Sequence, residues 1–210
     1  MTQAERPGIS PHFFLRRLHS LSGVLPIGAF LVEHMLSNFL ITRGPTAYDH
    51  QIALLQSMPF VTFMEITFIG LPILFHAGYG FYVILTGKRN LTWYPYPENW
   101  FYTLQRWTGV ITFIYVIQHV WQTRIAKAIY GTEVSYARMA ELMHQPANFW
   151  IYLIGLTAVM FHFANGFWGF LISWGVTTSA LSRRISGWIC ALSSLVLYGI
   201  GVGALLYLVR

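Results

Sequence analysis

The sequence predicts an all-α integral-membrane protein of five transmembrane helices, the first four forming a bundle with an internal two-fold repeat. Three observations predict it. Of 210 residues, 55% are hydrophobic and only 10% charged, where soluble domains carry about 25% charged residues. Five apolar stretches are each long enough to cross a bilayer, which takes about 20 residues. Aromatic residues reach 17%, with 8 Trp and 12 Tyr, as expected where rings line both membrane interfaces.

The first fifteen residues are polar, with Pro7 and Pro11. They lack the apolar core and cleavage site of a secretory signal. The five stretches then lie at roughly 17–41, 60–86, 103–129, 148–175 and 186–209, so residues 1–210 read as one membrane domain. Several run to about 27 residues, or about 40 Å of helix, and must tilt or project beyond the hydrocarbon. Pro26 and Pro72 fall inside the first two spans. Kinks are expected there, with the freed carbonyls satisfied by neighbouring helices. The third loop, around 130–147, holds an amphipathic stretch from Tyr136 to His144 that reads as a short surface helix. The fifth span has no histidine and many Gly, Ser and Leu residues, and reads as packing.

Charge sets the expected orientation. Arg6, Arg16, Arg17, Lys88, Arg89, Arg106, Arg183 and Arg184 fall on one side, and Arg43, Arg124, Lys127, Arg138 and Arg210 on the other. The excess puts the N-terminus in the cytoplasm and the C-terminus outside. These basic residues are too dispersed to read as a nucleic-acid surface. The single cysteine, Cys190, allows no internal disulfide and no thiolate cluster, and a C-x-x-C-H attachment motif is absent.

Four histidines lie deep in apolar segments: His34, His76, His119 and His162, spaced 42, 43 and 43 positions apart. An imidazole in hydrocarbon is costly unless its nitrogens find partners, so such residues are functional candidates. Helices 1 and 3 run outward, which puts His34 and His119 about 7–10 Å from the outer ends. Helices 2 and 4 run inward, which puts His76 and His162 about 20–25 Å below that surface. The pairs sharing a level are therefore His34 with His119 and His76 with His162.

An internal repeat supports facing pairs. His76-Ala-Gly-Tyr-Gly-Phe81 matches His162-Phe-Ala-Asn-Gly-Phe167 as H-x-x-x-G-F. Arg17 with Gly23-Val24 precedes His34 much as Arg106 with Gly109-Val110 precedes His119. Parallel repeats of this kind are related by an axis along the membrane normal. Opposed imidazoles in a four-helix bundle suit bis-histidine ligation of haem iron, so two non-covalent haems b are expected, stacked across the membrane. Gly80 and Gly166 follow His76 and His162 by four positions, on the same helical face, where bare backbone would admit a macrocycle. Gly23, Gly28 and Gly109 could serve the other helices likewise. A bare zinc or copper site fits less well, since neither pair has an accompanying carboxylate or cysteine. A haem-free, histidine-lined transporter is the alternative of another class, although only Glu33 and Glu65 supply intramembrane acids.

These residues also carry a family likeness. Phe14-Leu-Arg-Arg-Leu-His-Ser-Leu-Ser-Gly-Val24, His34, Leu71-Pro72 before His76, Leu104-Gln-Arg-x-Thr-Gly-Val110 with His119-Val-Trp121, Phe161-His-Phe-x-Asn-Gly166 and Arg184-Ile-Ser186 form an ordered series. It resembles the cytochrome b membrane anchor of succinate:menaquinone oxidoreductases and fumarate reductases, in the single-chain, five-helix, two-haem form, over nearly the whole chain. The resemblance implies that His34 and His119 ligate a distal haem and His76 and His162 a proximal one. It implies partners as well: a flavoprotein (FAD) subunit, an iron–sulfur subunit, membrane lipid and a quinone, menaquinone in this form of the family, in a bacterial cytoplasmic membrane, with complexes able to form trimers. The anchor then has no succinate chemistry itself and contributes docking, electron transfer and part of the quinone site. Arg17, His19, Ser20 and Arg106, near the cytoplasmic end, are the expected propionate partners. Glu65, about one and a half turns into helix 2, is the expected proton relay at a distal quinone. Some family members carry a glutamate two residues before the fourth haem histidine; Met160 stands there instead, which argues against a proton path of that type. The dihaem cytochrome b of a hydrogenase or formate dehydrogenase is the redox alternative.

Overall fold

Helix starts in this chain are written by proline and serine. Pro11, Pro26, Pro45, Pro72, Pro97 and Pro146 each stand in a first turn, where a missing N–H costs nothing. Ser10 and Ser135 accept from Phe13 and Arg138 backbone N–H groups, and Ser179 forms a capping box with Ser182. The computed structural model describes residues 10–88, 91 and 93–210. Arg6, Pro7 and Arg89, used in the sequence argument, lie outside the described residues.

Every apolar stretch becomes helix. The first comprises α1 (Pro11–Val24) and α2 (Pro26–Phe39), followed by a 3₁₀ turn, Leu40–Arg43. The kink expected at Pro26 falls at Leu25, a single turn residue between α1 and α2 whose own N–H still reaches the Leu21 carbonyl. A surface helix, α3 (Pro45–Gln56), follows in the first loop. The second stretch is α4 (Val61–Glu65), a π-turn Ile66–Gly70, and α5 (Leu71–Thr86), with Pro72 placed just after the π-turn. The third is α6 (Pro97–Val120), a second π-turn Trp121–Ile125, and α7 (Ala126–Tyr130). A short α8 (Tyr136–Met143) leads to α9 (Pro146–Ser173) and α10 (Ala180–Leu208).

Among the described residues, four helical segments are long and apolar enough to cross a membrane: Pro11–Arg43, Val61–Thr86, Pro146–Ser173 and Ala180–Leu208. The chain is a multi-pass, all-α membrane protein. The run 97–130 is helical throughout, yet Gln105, Arg106, Gln118, Gln122, Arg124 and Lys127 dilute its apolar character.

α9 lies between α6 and α10, and α1 packs on α5 and α9. The best-buried apolar cluster sits at the α3–α8 end, next to the His34–His119 pair rather than the His76–His162 pair. There Met35, Tyr48, Met139, Met143, Tyr152, Leu156, Met160 and Leu205 meet. Methionine's unbranched chain fills such irregular gaps. α8 is the expected short amphipathic surface helix: its Met139, Leu142 and Met143 face is buried against the bundle, while Ala137 and Glu141 are exposed. α10 does act as packing. Ser194 Oγ donates to the Met160 carbonyl at 2.8 Å. A Cβ at Gly201 would meet Leu156 Cδ2 at 2.8 Å, the close small-residue contact typical of helices in lipid.

Candidate functional site

The four histidines fall into two facing pairs. His34 on α2 and His119 near the end of α6 have ring centres 5.7 Å apart and planes at 77°. His76 on α5 and His162 on α9 stand 6.2 Å apart at 86°. Depth counting along the sequence grouped them the same way.

Local bonding is repeated between the halves. His76 Nδ1 lies 3.0 Å from the His19 carbonyl of α1, and His162 Nδ1 lies 3.0 Å from the Gln105 carbonyl of α6. Both links join residues 57 positions apart. A carbonyl can only accept, so Nδ1 carries the proton in each neutral ring and Nε2 keeps its lone pair. That tautomer is the one a metal requires when it binds at Nε2. Each ring also lies on a glycine of the helix that supplies the carbonyl. A Cβ on Gly23 would stand 2.5 Å from His76 Cε1, and one on Gly109 would stand 3.0 Å from His162 Cε1. Around the other pair, Tyr115 and Tyr152 crowd His119, with ring centres 5.8 and 5.7 Å away. The Tyr152 hydroxyl is 3.4 Å from His119 Nδ1.

The remaining expected residues separate by position. Gly80 and Gly166 face side chains of the opposite helix. A Cβ at Gly80 would meet His19 Nε2 at 3.3 Å, and one at Gly166 would meet Gln105 Nε2 at 3.0 Å. Gly28 lies against Phe163, 2.7 Å from its ring in the same sense. His19 stacks on His76 with ring centres 4.1 Å apart at 11°, and half-buried Ser20 follows it on α1. Arg17 donates to the Ser173 carbonyl at the end of α9 and lies over the rings of Phe13 and Trp174. Arg106 donates to the Ile84 and Gly87 carbonyls at the end of α5. Each guanidinium thus sits at a helix C-terminus belonging to the other half of the repeat, where the macrodipole favours a cation.

At the His34 end, Glu65 is paired with Arg124 at 2.5 Å. Glu65 immediately precedes the first π-turn and Arg124 lies within the second. Arg124 also donates to Thr62 Oγ1 at 3.1 Å. π-turns are rare and recur at functional sites; here one ion pair joins two of them. A second polar group was not assembled from the sequence. Glu33 accepts from Ser37, and Ser37 Oγ accepts from Gln51 Nε2 at 3.2 Å. These three side chains, with Ala29, Val32, Leu36 and Leu40, line an open groove of about 480 Å³ between α2 and α3. Gln51 comes from α3, so its arrival needed a helix that the apolar pattern did not signal. Tyr115 was within reach of sequence reading, four residues before His119 on one helical face.

An all-helical, multi-pass membrane protein with two intramembrane imidazole pairs is the class that fold and site define. The sequence model of the family described as succinate dehydrogenase/fumarate reductase transmembrane subunit matches residues 86–201. The chain is also 42% identical over 193 residues to the succinate dehydrogenase cytochrome b558 subunit of Bacillus subtilis (strain 168), covering 92% of this chain and 95% of that protein. The chain therefore belongs to the succinate dehydrogenase/fumarate reductase transmembrane subunit family.

Proposed function

We propose that this chain anchors a succinate:quinone oxidoreductase in a bacterial cytoplasmic membrane and passes electrons through two bis-histidine haems b to a quinone. The observation that carries the reading is the bonding of His76 and His162: each Nδ1–H is held by a helix carbonyl, which leaves each Nε2 lone pair for a metal, and the two rings face each other 6.2 Å apart. The donor set fits a haem. Two metal–nitrogen bonds of about 2 Å, with the ring radii added, separate imidazole centres by about 6 Å, and the pairs stand at 5.7 and 6.2 Å. His76 with His162, and His34 with His119, would hold the two irons, and a macrocycle would supply the remaining ligands that two imidazoles leave open. When bound, each haem supplies a one-electron carrier. The protein's part is to fix the rings: Gly23 and Gly109 set their approach, and the two carbonyls set their tautomer and raise their basicity.

In this reading the run 97–130 also crosses the membrane, as the third of five spans, the N-terminus is cytoplasmic and the C-terminus is outside. Arg17, His19, Ser20 and Arg106 then lie at the cytoplasmic end of the His76–His162 level. Arg17 and Arg106 keep spare N–H donors beyond those used on carbonyls, which suits haem propionates. The same face docks the iron–sulfur subunit and, through it, the flavoprotein subunit. A quinone, menaquinone in this form of the family, binds toward the His34–His119 level. Glu65, half-exposed in its pair with Arg124, handles protons there, and the groove at Glu33 supports a quinone head at that level.

Purification from native membranes through a tag on this chain tests the reading. A flavoprotein and an iron–sulfur subunit are expected to co-purify and to reduce quinone with succinate as donor. Recovery with nickel or molybdenum subunits instead would overturn it.

A further inference from the structure

One groove takes no part in the haem and quinone reading. It measures about 600 Å³ and lies between α9 and α10, within the size of small-molecule sites, about 300–1,000 Å³. It runs along α10 from Arg183 and Arg184 to Tyr198, about 21 Å of helix. That exceeds one leaflet's share of the hydrocarbon, about 15 Å. Its floor is shallow because the residues there are small: Ala164, Gly187 and Ala191. Its polar side chains are largely spent on the protein, since the Thr157 and Tyr198 hydroxyls meet at 3.1 Å and Ser194 serves the Met160 carbonyl. A long apolar slot with no free donors along it suits an acyl chain.

The mouth has the opposite character. Arg183 and Arg184 lie in the first turns of α10, which has no acidic residue there. The helix N-terminus carries partial positive charge, so two guanidinium groups stand where the dipole disfavours them. Among the described residues, neither has a carboxylate partner. Trp168 Nε1 donates to the Arg183 carbonyl at 2.9 Å, and Trp188 lies 62% exposed beside it, as interfacial anchors do. Three positive contributions at the open end of an acyl-length slot form an anion site facing the headgroup layer.

We infer that the α9–α10 groove seats one anionic phospholipid, an acyl chain along Ala164, Gly187 and Ala191 and the phosphate on Arg183 and Arg184. The inference is independent of the haem and quinone assignments. It assigns these two arginines to lipid rather than to a soluble subunit.

The test is native mass spectrometry of the full chain, purified in mild detergent with whatever subunits accompany it. Palmitoyl-oleoyl phosphatidylglycerol and the matching phosphatidylcholine are titrated separately. Two arginines near an anionic headgroup predict at least about tenfold tighter binding of the glycerol lipid. R183Q/R184Q is expected to remove that preference, R183K/R184K to restore most of it, and Ala191→Phe to weaken both lipids. Equal affinity for the two lipids overturns the proposal. So does R183Q/R184Q protein that keeps the preference, or that loses soluble subunits while lipid binding is unchanged. Co-purified quinone that is displaced by Ala191→Phe, with phospholipid retention unaltered, also overturns it.

Discussion

Replacing Gly23 by alanine places a methyl group against the ring of His76. The new Cβ would stand 2.5 Å from Cε1 and 3.0 Å from Nδ1, inside the roughly 3.5 Å at which such atoms rest. The ring must retreat by about 1 Å to restore that separation. Its 3.0 Å bond to the His19 carbonyl then stretches beyond useful range. Overpacking by a methyl costs about 1–3 kcal/mol and the lost bond about 0.5–1.5 kcal/mol. Alanine's better helix propensity returns about 0.5–1 kcal/mol. The net cost, about 1–3 kcal/mol, falls on the imidazole rather than on the helix. The equivalent change, Gly109→Ala, approaches His162 Cε1 only to 3.0 Å and needs about half the shift. Haem content per chain, with optical spectra of membranes at matched protein level, reads the effect. The expected order of haem loss is G23A greater than G109A, confined to one of two haems. Full haem content with unchanged spectra in both variants, or the reverse order, would refute the reasoning.

His76→Ala and His162→Ala should each remove one spectral component, and His34→Ala and His119→Ala the other; any other grouping contradicts the pairing. Glu65→Gln should slow succinate-driven quinone reduction while leaving haem content intact. Arg124→Gln should shift that rate too, because Glu65 loses its anchor, yet lower thermal stability little, since half-exposed ion pairs contribute about 0–1 kcal/mol. Glu33→Gln in the same assay compares the groove between α2 and α3 with the Glu65 pair. Ser194→Ala should cost about 1 kcal/mol of stability, read as a lower melting temperature with both haems retained.

The membrane class and the histidine grouping were legible because both depend on period and depth, which sequence spacing carries directly. Span ends were less so: α6 begins at Pro97 and not near 103, because Tyr96 and Pro97 start the helix before the apolar run does. α3 escaped because it has mixed composition, weak amphipathicity and one buried residue, Tyr48, too little apolar periodicity to mark a helix. The approach of Gly23 and Gly109 to the rings was harder to foresee than that of Gly80 and Gly166. A shared face along one helix follows from i, i+4 spacing, but the glycine a ring rests upon lies on the neighbouring helix. The Glu65–Arg124 pair and the two carbonyl bonds to Nδ1 join positions 57 or more residues apart, and only packing brings such groups together.

Haem stoichiometry tests the central claim most directly. A pyridine haemochrome assay on the purified, well-folded protein, referenced to amino-acid analysis of this chain, should give two haems b per chain. A value near zero would end the bis-histidine account, and a value of one would leave one imidazole pair without the cofactor assigned to it.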